Sequence, residues 1–245
     1  MSPSIRMSND YPTRAVILAA GRGRRLEPFT SKVPKPLLTV EGRPMLDRTL
    51  RALNIARVTD TCIVVNHHAE QIVDFVADGR VWDMAVQIVF QKETLGTSDA
   101  LKTAMEFLIE PCLVIAGDYA LQEKSLLELK RYYQAGSADI AISLKEITRE
   151  EARYRSSIQL GEGGRILQLL EKPTVVSLSD TIGASLIYIV PPDIKQFLKH
   201  APLSQRGEYE LPELVNLMIG SGFTGKGLIQ EAPREWSAGD ASTTS

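Results

Sequence analysis

Apolar and polar positions along the chain follow two different periods. Residues 15–20, 61–65, 86–90 and 112–116 are short, nearly continuous apolar runs, the pattern of strands buried on both faces. Between them, residues 45–56 carry Met45, Leu46, Leu50, Leu53 and Ile55 at helical spacing, and residues 69–77 and 98–108 read the same way. Strands alternating with helices predict βαβ units and a mostly parallel sheet. Past the amphipathic stretch 126–133 the rhythm changes. Residues 138–146, 157–160, 166–170 and 182–190 read as strands, with a glycine turn at 161–164. Residues 192–200 and 210–219 read as helices. The expectation is an α/β fold: a Rossmann-like, mixed, mostly parallel sheet flanked by helices, with a smaller antiparallel portion on the substrate side.

Length and composition narrow the class. At 245 residues there is room for one large domain, and an apolar content of 44% argues against global disorder. No apolar run is long enough to span a bilayer, and the first residues lack the apolar core of a secretory signal. The reading is a flexible leader at 1–13, one domain at 14–240 and a tail at 241–245, in the cytoplasm, with no membrane partner. Residues 14–135 form a nucleotide half and 136–240 a substrate half. Self-association into a homo-oligomer is compatible with this composition. Cys62 and Cys112 sit in apolar strand-like runs and read as buried thiols. Net charge is only −2, but residues 14–57 hold ten Lys/Arg against three Asp/Glu. Several of these cations fall in a glycine loop with no interleaved aromatic residues, which favours a small anionic ligand over nucleic acid.

The candidate chemistry follows strand ends, where open α/β sheets bind ligands. The first strand breaks into Gly21-Arg22-Gly23-Arg24-Arg25-Leu26, and Lys35 is held between Pro34 and Pro36. Glycines let backbone N–H groups approach an anion, fixed cations neutralise it, and the flanking prolines stiffen the aim of the lysine. Leu26 stands where a dinucleotide fingerprint needs its third glycine, so an arginine-rich loop for a triphosphate is the better reading. Gln91 opens the segment QKETLGTSDAL, and its amide offers both a donor and an acceptor to a base edge. Gly96 lets backbone approach that base, and Thr97 is placed to cap the next helix. Asp118, after the apolar run ending at Gly117, is a hard oxygen donor suited to Mg²⁺.

These blocks resemble the sugar-phosphate nucleotidylyltransferases, the NDP-sugar pyrophosphorylases. The resemblance rests on Leu18, Ala19, Ala20, Gly21, Gly23, Arg25 and Leu26, then Pro34-Lys35-Pro36-Leu37, then Gln91 with Leu95-Gly96-Thr97, Gly117-Asp118 and Glu171-Lys172-Pro173. It implies the nucleotide-diphospho-sugar transferase fold and transfer from an NTP, with UTP or dTTP favoured, to a glucose-1-phosphate-like sugar-1-phosphate. By the same resemblance Leu18, Ala20, Gly21, Gly23, Gln91, Gly96 and Thr97 bind the nucleotide. Arg25, Lys35 and Lys172 are the catalytic cations, and Glu171, Lys172 and Gly183 hold the sugar phosphate. Asp118 holds Mg²⁺, and the segment Gly207-Glu208-Tyr209-Glu210-Leu211 is structural. Two departures stand out. Arg155 follows Tyr154 where the family pattern has glycine, and Ala238 stands where it has a second metal-binding aspartate, leaving Asp240 to serve by a shifted register. Two other functions fit the same blocks: a nucleotide-binding homologue without catalysis, and CTP-dependent transfer to a non-sugar acceptor such as phosphocholine.

Overall fold

The computed structural model describes residues 12–136, 138–173, 181–237 and 240. Most of the expected leader, the tail at 241–245 and Ala238 lie outside these residues. Thr13 is already tied to the fold, since its carbonyl accepts from Thr59 N at 2.9 Å.

The first half runs β1 (Arg14–Ala19), a short hairpin of β2 (Thr39–Val40) and β3 (Arg43–Pro44), α1 (Met45–Ile55), β4 (Asp60–Val65), α2 (Ala69–Val76), β5 (Ala85–Phe90), α3 (Thr97–Thr103) and β6 (Cys112–Ala116). There follow β7 (Tyr119–Ala120), α4 (Glu123–Gln134), β8 (Ile140–Glu146), α5 (Arg149–Ala152), β9 (Ser156–Leu160), β10 (Ile166–Glu171) and β11 (Ile182–Val190). The chain closes with α6 (Ile194–Leu198), α7 (Leu211–Gly220), β12 (Gly225–Ile229) and β13 (Arg234–Glu235).

Among the described residues the main sheet has nine strands, ordered β10-β9-β11-β6-β1-β4-β5, with β8 paired to β11 and β12 to β8. β6, β1, β4 and β5 are parallel, whereas β11 runs antiparallel to β6, β8 and β9. The predicted change of rhythm is thus a change of strand direction. Side chains of β1 divide between two cores. Ala15, Ile17 and Ala19 pack beneath α1 and α4, and Val16, with Ala20 just past the strand, packs with Leu101, Leu211 and Leu214 on the other face. Burial on both faces is why these strands read as continuous apolar runs.

Three expectations are adjusted. The helix expected over 98–108 stops at Thr103, and a 3₁₀ turn covers Met105–Phe107. The helix expected over 192–200 is only α6. Strand β12 and the pairing of β13 with β7 were not expected.

Candidate active site

The glycine–arginine loop after β1 is a chain of 3₁₀ turns held by its own backbone. Leu26 N and the buried Thr30 Oγ1 both donate to Gly23 O, at 2.8 and 3.0 Å. From the start of α2, Gln71 Nε2 donates to Lys32 O at 2.8 Å, and the His68 ring meets Ser31 O at 3.1 Å. Pro34 and Pro36 are buried, so the half-buried Lys35 is presented from an anchored turn. Phe29 packs on Trp236, ring centroids 4.8 Å apart, which joins this loop to the C-terminal segment.

The loop forms one wall of a cleft of about 470 Å³, within the range of small-ligand sites. Leu18, Ala20, Gly21, Gly23, Arg25, Lys35, Gln91, Gly96, Thr97, Asp118, Glu171 and Lys172 all line it. Gln91 is buried, and its Nε2 donates to Asp99 Oδ2 at 2.7 Å, which sets the orientation of its amide. Gly96 holds φ +129°, and a Cβ there would lie 2.3 Å from Tyr209 O. The two segments exchange backbone bonds around it: Tyr209 N donates to Leu95 O and Ser98 N to Tyr209 O, both at 2.8 Å. Thr97 corrects an expectation. It is the first residue of α3, and its hydroxyl accepts from Leu211 N at 2.8 Å, capping the start of α7 instead.

Across the cleft, the Lys35 ammonium pairs directly with the Asp118 carboxylate. Glu235 also lines the cleft, placed there because β13 pairs with β7 and sets Glu235 opposite Tyr119. Its Oε1 accepts from Arg155 Nη1 at 2.5 Å and lies 3.5 Å from Lys145 Nζ. Burial alone would raise the Glu235 carboxyl, but Arg155, Lys145 and Lys35 hold it below the usual carboxylate range. Lys145 is buried, and burial together with Arg155 lowers its ammonium. Arg155 is delivered by α5, whose Thr148 and Glu151 form a reciprocal capping box.

Glu171 pairs with Lys172 Nζ at 3.0 Å and accepts a bond from Ser156 Oγ. Lys172 has φ +44°, a conformation that side chains resist, and its N–H donates to Arg155 O at 3.1 Å. The segment expected to be only structural contributes Glu208 and Glu210 to the cleft. Arg206 bridges the two, with Nη2 3.3 Å from Glu208 and Nη1 2.6 Å from Glu210.

Two expected residues are not brought to the cleft. Gly183 lies in β11 opposite Ser157, where a Cβ would stand 2.8 Å from Ile147 Cγ2, so close packing demands the glycine. Its neighbours Ala184, Leu186 and Tyr188 line the cleft instead. Asp240 is committed elsewhere: Oδ2 accepts from Ser237 N and Oγ at 2.8 and 3.0 Å, and Oδ1 from Arg234 Nη2 at 2.7 Å. These Ser237 bonds, backbone first, and Arg234 lower its carboxyl. Among the described residues no cluster of three His, Cys, Asp or Glu is arranged to hold a metal ion. The site residues that sequence reasoning missed are Arg155, Glu208, Glu210 and Glu235. Glu208 and Glu210 stand inside the segment 207–211 already set against the family pattern, whereas Arg155 and Glu235 carry no local signal.

Known proteins share this arrangement of sequence and fold. The sequence profile described as nucleotidyl transferase matches residues 14–231. The bifunctional protein GlmU of Methanococcus maripaludis is 29% identical over 208 residues, covering 85% of this chain and 47% of the relative. The chain therefore spans about half the length of the GlmU relatives it matches. The UTP–glucose-1-phosphate uridylyltransferase AglF of Haloferax volcanii is 28% identical over 211 residues, 86% of this chain and 85% of the relative. A solved structure of UDP-glucose pyrophosphorylase complexed with UDP-glucose has the same fold, with a TM-score of 0.78 over 95% of each chain at 19% identity.

Proposed function

We propose that this chain, which belongs to the nucleotidyl transferase family, transfers a nucleotidyl group from an NTP to a sugar-1-phosphate, releasing pyrophosphate. The observation that carries the reading is one cleft lined by Arg25, Lys35, Asp118, Glu171 and Lys172 together. UTP or dTTP is the favoured nucleotide, because the Gln91 amide, oriented by Asp99, can both accept from and donate to a pyrimidine edge.

In this reading an oxygen of the sugar phosphate attacks the α-phosphorus, and the bond from that phosphorus to the bridging oxygen of pyrophosphate breaks. The nucleophile is already ionised at neutral pH, so no general base is needed. The protein contributes position and charge. Arg25 meets the departing pyrophosphate, Lys35 the α-phosphate region and Lys172 the incoming phosphate. The strained backbone at Lys172, held by Arg155 O, fixes its place in the cleft lining, where its ammonium pairs with Glu171. Mg²⁺ is the proposed cofactor. Asp118 and Glu235 are hard oxygen donors facing one cleft, and Mg²⁺ commonly takes one or two carboxylates and completes its shell with water and phosphate. Bound there, it supplies positive charge against the phosphates.

The placement of Asp240 outside the cleft favours a second reading, a homologue that binds nucleotide without turnover. Pyrophosphate exchange with a panel of NTPs and sugar-1-phosphates separates the two. Exchange that falls about 10²–10³-fold in Arg25→Ala and Asp118→Ala is the expected result. Nucleotide binding with no exchange in any pair would replace the proposal with the second reading.

A further inference from the structure

Among the described residues the main sheet ends at β10, β12 and β5, and the three edges differ. At β10, Asn216 on α7 donates Nδ2 to Leu169 O at 2.8 Å and accepts from Leu169 N at 2.9 Å. At β12, Tyr132 Oη donates to Gly227 O at 3.2 Å, and a lone bridge pairs Lys226 with Arg165. The chain itself engages both of these edges. The edge at β5 is open. This strand pairs with β4 on one side only, in unbroken register from Ala85 opposite Asp60 to Phe90 opposite Val65. Ala85 N donates to Thr59 O at 2.8 Å and Gln91 N to Val65 O at 2.9 Å, so the odd-numbered residues turn their backbone toward β4. Alternation then points the N–H and C=O groups of Val86, Ile88 and Phe90 outward. No described group bonds to them there.

The strand also lacks the features that keep an edge from pairing. Its residues, Ala-Val-Gln-Ile-Val-Phe, include no charge, proline or glycine, whereas natural edges are blunted by charges, prolines or bulges. Ala85, Gln87 and Phe90 are exposed, Phe90 to 60%. An open, uncharged edge is a template for a further strand. Symmetry and charge point to the source of that strand. Three outward-facing residues centred on Ile88 make the edge complementary to itself when two copies run antiparallel. Ile88 then faces Ile88 of the second copy, Val86 faces Phe90, and each facing pair exchanges two hydrogen bonds. Each end of the strand carries one exposed cation and one exposed anion, Arg80 and Asp83 before it and Lys92 and Glu93 after it. Antiparallel pairing brings these mixed ends together, with Lys92 within one residue of Asp83 of the second copy. Neither Asp83 nor Lys92 is in an ion pair among the described residues, so both are available to the contact. We infer that β5 is a self-association edge, along which a second copy of this chain adds its own β5 antiparallel. The result is one sheet continued across a two-fold axis at Ile88, the closed symmetry most common among oligomers. The pairing also braces the strand that runs directly into Gln91 in the cleft lining.

The test uses the full chain. Sedimentation equilibrium at about 1–100 μM, a range that covers micromolar association, should show a species of twice the 27.0 kDa chain mass. The double variant Gln87→Lys, Phe90→Lys places charges at two exposed positions of the edge. It should keep the wild-type melting temperature and weaken association about a hundredfold or more. The register is read by cysteine crosslinking. Ile88→Cys meets its own mate at a Cα separation of about 5.5 Å, within disulfide range, and should crosslink two chains under mild oxidation. Phe90→Cys lies four residues out of register with its own mate and should not. Cys62 and Cys112 are buried and leave the background clear. A chain that stays monomeric over the whole range overturns the inference. So does a dimer that the double lysine variant leaves intact, or one that Ile88→Cys fails to crosslink, because another surface is then responsible. None of these outcomes bears on the proposed function, which pyrophosphate exchange tests separately.

Discussion

At the scale of single residues, the cleft is a place where charges have more than one claimant. Lys35 lies on Asp118, and Arg155 and Lys145 converge on Glu235. Removing a phosphate-facing cation affects the ligand, but removing a shared carboxylate affects the protein itself. Glu235→Gln would leave Lys145, 8% exposed in its side chain, facing Arg155 with Glu151 left to offset both charges. Breaking such a pair from one side costs more than the pair contributes, because the remaining charge stays desolvated. Glu235→Gln is therefore expected to destabilise the fold by about 1–3 kcal/mol. Adding Arg155→Met should recover part of that loss, since it removes the repulsion Lys145 then meets. Urea unfolding of the two single variants and the double variant closes the cycle. A double variant no more stable than the sum of the two single losses would show that the three groups do not act together.

At the scale of elements, the site depends on joints between segments distant in sequence. The tightest is Gly96 against Tyr209, where φ +129° and a 2.3 Å approach leave no room for a side chain. Gly96→Ala must strain the backbone and push the two segments apart. A loss of roughly 2–4 kcal/mol is expected, from a backbone conformation that L residues resist together with overpacking. In a chain of this length that lowers the melting temperature by about 4–16 °C. A melting temperature within a degree of wild type would mean that the joint yields without cost. These joints also mark what the sequence made legible. The parallel strands, the helices between them and the motif residues at strand ends could be read directly, because apolar periodicity and glycine placement are local signals. Strand β12 escaped because Gly225 and Gly227 interrupt its apolar alternation, and β13 because two residues carry no period. Glu235 and Arg155 enter the cleft through long-range strand pairing and through an arginine where glycine was expected. Neither has a local signature. The spacing of Asp240 from Trp236 suggests a metal ligand, but its carboxylate bonds back to Ser237 and to Arg234, outside the cleft.

At the scale of the whole molecule, one buried cation couples global stability to pH. Lys130 on α4 is fully buried, and its Nζ donates to Ala56 O, at the end of α1, at 2.5 Å. A cation suits the carbonyl end of a helix, yet desolvation dominates and pulls the Lys130 ammonium down to about 7. In the unfolded chain it titrates near 10.4, so from about pH 7 upward the unfolded state binds more protons than the folded state. Stability must therefore rise with pH over this window, by up to about 1.4 kcal/mol per unit. The buried thiols act in the opposite sense at higher pH. Burial pushes Cys62 up to about 12 and raises Cys112 too, so the unfolded chain releases those protons first and stability falls. The two effects cross near pH 9, where the maximum is expected. Lys130→Met keeps the volume and removes the titration, so its unfolding free energy should fall between pH 7 and 9 as the thiols of the unfolded chain titrate, while that of the wild type climbs. Urea denaturation at pH 7, 8 and 9 reads the difference, and parallel curves for the two proteins would show that Lys130 keeps its ordinary affinity for protons in the folded state.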